Sequence, residues 1–459
     1  MPSNTSSRGS TRVPERETGR EGDTIVALST PPGRGGIGIV RLSGPLVPGI
    51  ARSLTGHLPP PRRACLEEFR DGSGGVIDQG IAIRFPAPGS YTGEDVLELQ
   101  GHGSPVAMQM LIRQCLDLGA RLARPGEFSE RAFLAGRLDL AQAEAVADLI
   151  ESSTAAAARS AMNALRGVLS QQVHALADGL TDLRVYVEAA IDFPDEEIDF
   201  LADGEVMRRL ESLEQAFTDL RRGMRQGRLL RDGLRVVISG APNTGKSSLL
   251  NRLLREQRAI VSDIPGTTRD VLEQYLDLDG LPVMLVDTAG IRDSDDVIEA
   301  EGVQRARQAR QDADLVLEVR DHALEGPGGS HGDDAGGPVI FVCNKIDLSG
   351  HPPGADGDAV YLSVLTGDGM DALVERIKEF AGYREAESAG YIARQRHLDA
   401  LERAHRHLSL GIERLREMRA GELLAEELRL AQNDLGEITG TVTSDDLLGR
   451  IFGSFCIGK

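Results

Sequence analysis

The feature that most constrains the fold of this chain is a phosphate-binding loop at residues 240–247, which read G-x-x-x-x-G-K-S. An apolar, β-branched run precedes the loop, and a segment with helical spacing follows it at 248–254. Backbone N–H groups of such a loop surround phosphates at the N-terminus of a helix. Lys246 is expected to reach the β- and γ-phosphates, and the Ser247 hydroxyl to bind Mg²⁺. The loop therefore predicts a P-loop nucleotide-binding domain.

Two further motifs, each at the end of an apolar strand pattern, predict that the nucleotide is GTP. Residues 287–290 read D-x-x-G, in which the carboxylate can hold the Mg²⁺ hydration shell and the glycine N–H can contact the γ-phosphate. Residues 344–347 read N-K-x-D. The Asp347 carboxylate can accept two hydrogen bonds from N1 and N2 of guanine, and adenine offers no such pair of donors. Ser363 follows another short apolar run and fits the loop that closes over the base.

A switch loop is expected between the P-loop and residue 287. Residues 266–270 read G-T-T-R-D, and we assign Thr268 as the threonine that contacts Mg²⁺ and the γ-phosphate. Together, these motifs predict guanine-nucleotide contacts at Asn243, Thr244, Gly245, Lys246, Ser247, Ser248, Thr267, Thr268, Asp287, Gly290, Asn344, Lys345, Asp347 and Ser363.

The position after D-x-x-G is occupied by Ile291, where many GTPases have a glutamine that orients the attacking water. An isoleucine cannot orient water, so another group must do so, and another charge must stabilise the transition state. The acidic stretch at 293–301 offers several carboxylates, most of which are expected to be solvated.

Length and charge limit what else the chain can be. With 459 residues it is long enough for about three domains, each with its own core. It carries 71 acidic and 51 basic residues, a net charge of −20, which disfavours unaided, non-specific binding to nucleic acid. If the chain handles RNA, we expect a basic partner to help hold the RNA.

The cysteines predict neither a zinc site nor a disulfide framework. Cys65, Cys115, Cys343 and Cys456 are scattered without C-x-x-C spacing, which favours a reducing, cytoplasmic location. No apolar stretch approaches the roughly 18 residues of a membrane span, so we expect no membrane association.

Five segments are predicted along the chain. Residues 1–22 are rich in Ser, Thr and Arg, which predicts a disordered tail. A mitochondrial transit peptide is the alternative, and the acidic residues at 15, 17 and 21 disfavour it. Residues 23–137 form an α/β domain, 138–228 the first part of a helical domain, 229–383 the GTPase domain and 384–459 the second helical part. The predicted fold class is thus multidomain, with a Ras-like α/β P-loop GTPase domain inserted into an all-α domain and preceded by an α/β domain.

Three smaller features complete this organisation. The Gly-rich residues 35–38 lack full dinucleotide-binding spacing and are interpreted as a turn. The low-complexity residues 326–337 are expected to form a surface loop. Leucine and alanine stripes in the helical segments can form either an intramolecular core or a dimer interface.

Several long and unusual strings give the chain a family resemblance from Asp23 to Lys459. These strings are T-I-V-A with P-P-G-R-G-G at 24–36, Y-T-G-E-D-V-L-E-L-Q-G-H-G at 91–103, R-P-G-E-F-S-E-R-A-F at 124–133, I-D-F-P-D-E-E at 191–197 and F-C-I-G-K at 455–459. With them, the chain resembles the MnmE (TrmE) family of tRNA-modifying GTPases.

The resemblance implies a homodimer that works with the flavoprotein MnmG (GidA) in a heterotetramer, with FAD on the partner. Such complexes install an aminomethyl or carboxymethylaminomethyl group on C5 of the wobble uridine U34 in certain tRNAs. The implied one-carbon donor is 5,10-methylenetetrahydrofolate, for which 5-formyltetrahydrofolate is an analogue. The folate domain would be residues 23–137.

The resemblance also implies a folate site at Arg41, Tyr91, Glu94 and Glu98. Arg41 can pair with a folate carboxylate through charge-assisted hydrogen bonds. Without the resemblance, Arg41 reads as a surface residue at the end of a strand.

For the missing glutamine, the resemblance implies K⁺ bound by Asn243 and by backbone oxygens near Ser262, Ile264 and Thr267. A cation against the phosphates neutralises charge that develops in the transition state, as an arginine finger does. Mg²⁺ would be bound at Ser247 and Thr268, as the motifs already predict.

The resemblance singles out Glu299 as the residue that orients the attacking water, through a second water. Arg269 either steadies the switch loop or forms a structural salt bridge. Cys456 is the family's terminal thiol, in a motif that ends at Lys459. That thiol is either a nucleophile with a lowered pKa or a packing residue.

A different class of function remains as the alternative: a regulatory switch GTPase that assembles ribosomes or RNA complexes without modifying them. Such proteins usually add an RNA-binding module, and we identify no GXXG-type RNA clamp beyond the GTPase unit. The folate-type domain and the terminal thiol would have no purpose in a pure switch.

Overall fold

The computed structural model describes residues 22–192, 204–256, 258–259, 273–287, 308–325, 338–383 and 390–458. The chain divides into two units, the first formed by Met1–Leu138 with Ser444–Lys459 and the second by Asp139–Thr443. Within the described ranges, no helix is both long and apolar enough to cross a membrane.

The first unit is built on a sheet. Its strands are β1 (Ile25–Leu28), β2 (Gly35–Ser43), β3 (Cys65–Arg70), β4 (Val76–Phe85), β5 (Val96–Gly103) and β6 (Arg121–Leu122). They lie in the order β3-β4-β5-β2-β1-β6, and only the β1–β6 pair is parallel. Side chains alternate along β2, so that Val40 and Leu42 are buried while Arg41 lies on the opposite face.

Two helices, α1 (Val47–Thr55) and α2 (Pro105–Asp117), pack with the buried face of this sheet in one core. The Gly-rich residues 35–38, expected to form a turn, instead begin β2, with a register shift against β5 between Gly35 and Gly38. These residues pair with β5, and the Met108 side chain of α2 packs directly against Gly38, where a Cβ would displace it.

A second contact surface of this unit joins segments that are distant in sequence. Helix α3 (Glu127–Leu134) packs near a helix at Asp445–Gly453, with the Phe133 and Phe452 rings 6.2 Å apart. Pro125 and Ile457 form an antiparallel bridge. The sequence prediction assigned 384–459 to the helical domain, whereas residues 444–458 pack in the first unit because these contacts bind them there.

The second unit contains the helical domain, built from two separated parts of the chain. Its helices are α4 (Leu140–Glu151), α5 (Ala155–Leu165), α6 (Val168–Asp192), α7 (Glu205–Asp232), α12 (Gln395–Met418) and α13 (Gly421–Thr439). The predicted leucine and alanine stripes form a shared core, in which Leu180 and Leu210 from the first part join Leu401 and Leu428 from the second. Helix α7 continues beyond the predicted boundary at 228.

A buried carboxylate on α4 links the two parts of the helical domain. Glu144 is 1% exposed and accepts hydrogen bonds from Arg396 at 2.7 and 2.6 Å and from His397 Nε2 at 2.9 Å. The backbone N–H of Arg394 donates to His397 Nδ1, so the ring proton is on Nε2 and the ring is neutral. Burial and the Arg396 charge lower the pKa of His397, which agrees with this tautomer.

Burial opposes ionisation of Glu144, but its contacts with His397 and Arg396 outweigh burial and lower the pKa of this carboxyl. One turn further along α4, the buried Asp148 accepts hydrogen bonds from Arg394 at 2.7 Å and from Arg231 at 2.9 Å. Arg231 lies at the end of α7, directly before the first strand of the nucleotide-binding domain. These ion pairs therefore join both helical parts to the start of that domain.

The nucleotide-binding domain is an eight-stranded sheet in the order β13-β14-β12-β11-β7-β10-β9-β8, in which β7, β10, β11, β12 and β14 are parallel. The strands are β7 (Leu234–Gly240), β8 (Arg258–Ala259), β9 (Glu273–Leu278), β10 (Leu281–Asp287), β11 (Leu315–Asp321), β12 (Val339–Asn344), β13 (Gly354–Asp356) and β14 (Ala359–Tyr361). The helices are α8 (Lys246–Glu256), α9 (His322–Glu325), α10 (Ile346–Ser349) and α11 (Met370–Ala381), and the first unit contains α14 (Asp445–Gly453). The predicted fold class is confirmed.

We predict that Glu144→Gln destabilises the protein by about 3 kcal/mol, because an amide at this buried position cannot balance the partly buried Arg396 charge. Urea unfolding followed by far-ultraviolet circular dichroism measures the change. The control is Glu426→Gln on α13, which removes a solvent-exposed partner of Arg429 and should leave the midpoint nearly unchanged. Equal midpoints for the Glu144→Gln variant and the intact chain would show that the network does not stabilise the fold.

Candidate functional site

The P-loop lies where β7 ends and α8 begins, as the sequence predicts. Gly240 and Gly245 both have positive φ, at 141° and 102°. A Cβ on Gly240 would collide with the Val319 carbonyl of the neighbouring strand, and one on Gly245 with the Asn344 side chain. Glycine is therefore required at both positions for the loop to lie this close to the adjacent strands.

Side chains inside the loop fix its shape. Thr244 is buried, and its hydroxyl donates to the Ala241 carbonyl at 2.9 Å. Lys246 Nζ donates to the same carbonyl at 2.7 Å, which keeps the ammonium group over the loop. The side chains of Asn243, Ser247 and Ser248 are exposed at the same place.

Asn344 connects the P-loop to the segment after β14. Its side chain is buried, and Nδ2 donates to the Thr244 carbonyl at 2.8 Å. Its Oδ1 accepts from the backbone N–H of Lys345 at 2.8 Å and of Val364 at 3.0 Å. One amide group therefore determines the spacing between two loops that are far apart in sequence.

Lys345 makes a second connection to the P-loop. Its backbone has a positive φ of 68°, and Nζ donates to the Asn243 carbonyl at 2.9 Å and to Asp321 at 2.6 Å. The hydrogen bond from Lys345 lowers the pKa of the Asp321 carboxyl. Asp321, at the end of β11, was not among the predicted site residues, although its place at a strand end is a signal that the sequence carries.

Asp347 and Ser363 come together as expected for a base site. The Ser363 hydroxyl is fully buried and donates to Asp347 Oδ1 at 2.6 Å. This contact orients the carboxylate at the carboxyl end of the parallel strands, where ligands of open α/β sheets bind.

Part of the predicted site lies outside the described residues. It comprises Ser262, Ile264, Thr267, Thr268, Arg269, Gly290, Glu299, Lys459 and the side chain of Asp287. The roles assigned to these residues stay predictions.

In the first unit, Arg41 forms a cluster with Glu98, Tyr91 and Phe128, which we call the Arg41 cluster. Arg41 Nε and Nη2 donate to Glu98 Oε1 at 3.0 and 2.9 Å. The guanidinium carbon lies 5.8 Å from both the Tyr91 and the Phe128 ring centroids. Sequence analysis did not predict Phe128 as a member of this cluster, because an aromatic residue in an amphipathic helix indicates a core position.

Other contacts hold the Tyr91 to Glu98 segment in place. Burial raises the pKa of Tyr91, whose hydroxyl lies 2.9 Å from the Ser129 hydroxyl. Glu94 accepts from the Ser43 hydroxyl at 2.6 Å and from Arg131 Nη1 at 3.0 Å. Glu94 thus bonds to protein groups on two sides, and Arg131 is a further residue that sequence reasoning missed.

Cys456 has an exposed side chain on the terminal segment of the first unit. Its carbonyl accepts from the Gly126 N–H at 3.4 Å, and the next residue pairs with Pro125. Those partners directly precede α3, the helix that carries Phe128 of the Arg41 cluster. The terminal segment that carries Cys456 therefore pairs with the residues that lead into the helix of the Arg41 cluster.

Comparisons with known proteins agree with this geometry. A family model described as the MnmE helical domain matches residues 140–456, and one described as the GTP-binding protein TrmE N-terminus matches residues 24–137. The tRNA modification GTPase MnmE of Pseudomonas entomophila (strain L48) is 53% identical over 459 residues, covering 95% of this chain and 99% of that protein. The protein of the same description from Alkalilimnicola ehrlichii is 54% identical over 448 residues, with the same coverage of both chains.

Proposed function

This chain belongs to the MnmE family, and we propose that it is a tRNA modification GTPase, as its curated relatives are named. The observation that carries the choice of nucleotide is the Asp347 carboxylate, oriented by Ser363 beside the P-loop. A carboxylate in that place can accept from N1 and N2 of guanine and has no such donor pair on adenine. GTP is therefore preferred to ATP.

In the proposed GTP site, Lys246 contacts the β- and γ-phosphates while Ser247 and Thr268 bind Mg²⁺. The exposed Ser247 hydroxyl, in the first turn of α8, supports this assignment because helix N-termini face bound phosphates. Asp287 and Gly290 complete the Mg²⁺ shell and the γ-phosphate contact.

K⁺ is proposed to bind at Asn243 and at backbone oxygens near Ser262, Ile264 and Thr267. The exposed Asn243 side chain at the P-loop fits an oxygen ligand of this cation. When bound, K⁺ supplies positive charge against the phosphates in the transition state.

The residue proposed to orient the attacking water is Glu299, and Arg269 is proposed to stabilise the switch loop. Glu299 is supported by the absence of the usual glutamine: Ile291 occupies that position and has no polar group, so another residue must orient the water. Either role can be tested by measuring GTP affinity and the rate of GTP hydrolysis separately.

We predict that Glu299→Ala binds GTP as the intact chain does but hydrolyses it at least about 100-fold more slowly, since a positioned base contributes that much. Phosphate release and fluorescent GTP titration measure the two quantities, in K⁺ and in Na⁺ buffers. The control is Glu301→Ala, two residues further on. If GTP affinity fell as much as turnover, the role of Glu299 would be wrong, and equal rates in K⁺ and Na⁺ would exclude the K⁺ site.

The first unit is proposed to bind the tetrahydrofolate one-carbon donor at the Arg41 cluster. A guanidinium whose carbon lies 5.8 Å from two aromatic ring centroids offers charge-assisted hydrogen bonds to a carboxylate beside apolar rings. The ion pair with Glu98 limits the donors that remain, so a folate carboxylate and Glu98 would share the guanidinium. Glu94 and Tyr91 are proposed to shape the same site.

We predict that 5-formyltetrahydrofolate raises the melting temperature of the intact chain, and that Arg41→Met loses most of this increase. Thermal shift across a folate titration measures the effect. The control is Arg113→Met, which removes an exposed cation from α2 of the same unit. A full shift in the Arg41→Met chain, or no shift in the intact chain, would contradict the folate proposal.

The chemical product is proposed to be an aminomethyl or carboxymethylaminomethyl group at C5 of U34 in tRNA. The net charge of −20 supports tRNA binding together with a partner protein, because so acidic a chain gains little affinity from its own contacts with phosphates. The proposed partners are a second copy of the chain and the flavoprotein MnmG, which carries FAD. Cys456 is proposed to act near the one-carbon donor, and the proposed location is the cytoplasm.

We predict that total tRNA from cells lacking this gene loses C5-aminomethyl-type uridines, and that the intact gene restores them. Lys246→Ala should not restore them, because it removes the phosphate-binding ammonium group. Nucleoside mass spectrometry measures the products, and the folate-dependent thermal shift of the Lys246→Ala chain checks that its first unit is folded. An unchanged nucleoside profile would favour a switch GTPase without modification chemistry.

A further inference from the structure

Residues 363–367, which we call the base loop, are held by an arginine that no nucleotide motif contains. Arg252 Nη1 donates to the carbonyls of two consecutive residues of the loop, Val364 at 3.0 Å and Leu365 at 3.1 Å. A charged donor to two carbonyls is stronger than a neutral contact of the same geometry.

Arg252 is itself fixed on the helix that follows the P-loop. It lies on α8, six residues after Lys246, a distance of about 9 Å along the helix axis at 1.5 Å per residue. Its Nε donates to Glu256, one turn further on, at 2.6 Å. The helix whose first turn carries the phosphate-binding lysine therefore also determines the position of the base loop.

The base loop is shaped to receive this guanidinium. Gly367 has a φ of 96°, and a Cβ there would collide with Arg252 Nη2. Val364 is buried in the domain core, whereas the Leu365 side chain is 82% exposed. At Leu365 the loop therefore has no apolar burial, and Arg252 contacts its carbonyl directly.

The loop in turn orients the groups proposed to recognise guanine. Ser363 donates to Asp347 Oδ1, and the Val364 N–H donates to Asn344 Oδ1, so both polar side chains depend on the course of the loop. Within the loop, the Gly367 N–H donates to the Ser363 carbonyl at 2.8 Å. A shift of Gly367, at the end of the loop, would therefore also shift Ser363.

We infer that Arg252 is a positioning residue for guanine recognition, which acts through the base loop on Asp347. The inference rests on the proposed function, since it assumes that the chain binds guanine nucleotides. It predicts two effects of losing the guanidinium. Bound GDP dissociates faster, and the preference for guanine over hypoxanthine falls.

Hypoxanthine separates positioning from general stability. IDP lacks the 2-amino group of GDP and offers the Asp347 carboxylate one donor instead of two. A correctly oriented carboxylate therefore distinguishes GDP from IDP, whereas a displaced one distinguishes them less. A purely structural role for Arg252 would weaken the binding of both nucleotides by the same factor.

The test compares Arg252→Met, Arg252→Lys and the intact chain by stopped-flow dissociation of fluorescent GDP and by competition with GDP, IDP and ADP. Methionine keeps the aliphatic part of the side chain and removes the donors. We expect GDP to dissociate about tenfold faster from Arg252→Met, because a tenfold change corresponds to the free energy of one hydrogen bond to a charged group. The GDP-to-IDP affinity ratio should fall several-fold, and Arg252→Lys should lie between the two.

The matched control is Arg255→Met, which removes an exposed cation from the last turn of the same helix and should behave as the intact chain. An unchanged dissociation rate in Arg252→Met, or equal losses for GDP and IDP, would overturn the inference. If the intact chain bound ADP as tightly as GDP, the proposed function itself would fail. Melting temperatures of all variants identify any that are unfolded. If Arg252→Met is unfolded, the dissociation rate and the GDP-to-IDP affinity ratio of Arg252→Lys test the inference instead.

Discussion

The helical domain depends on two buried carboxylates one turn apart on the same helix. Glu144 and Asp148 accept hydrogen bonds from Arg394, Arg396 and the neutral His397, which lie more than 240 residues away in sequence at the start of the returning helix. An isolated charge at either place would cost several kcal/mol, so the network stabilises the domain only when both parts are present. The insertion of a whole domain between them is compatible with folding because this network specifies how the two parts meet.

In the nucleotide-binding domain, too, a few polar side chains connect several segments of the chain. One amide, Asn344, satisfies a P-loop carbonyl and two backbone N–H groups, and a single lysine next to it connects the loop to the neighbouring strand end. These groups are buried or partly buried, where an unsatisfied partner is costly. The phosphate and base regions of the site are consequently parts of one hydrogen-bonded structure.

The sequence was sufficient where a local pattern carries the chemistry. The P-loop, the strand ending at Asn344 and the inserted domain could all be predicted, because strand, turn and helix signals lie within a few residues of each other. It was insufficient for Arg252, Arg131 and Phe128, whose roles depend on partners distant in the chain. Residues 444–458 followed a helical stretch and read as its continuation, and only tertiary contacts show that they pack against α3.

That docking has a consequence for synthesis of the protein. Gly458 is buried, its carbonyl accepts from the Ser29 hydroxyl at 3.1 Å, and a Cβ on it would collide with the Leu28 carbonyl. Residues 22–138 therefore leave the ribosome before the segment that completes their unit, which is translated only after residues 139–443. Until then, Phe133 and Gly126 lack their packing partners Phe452 and Phe455, so this unit cannot complete its folding during synthesis of the preceding residues.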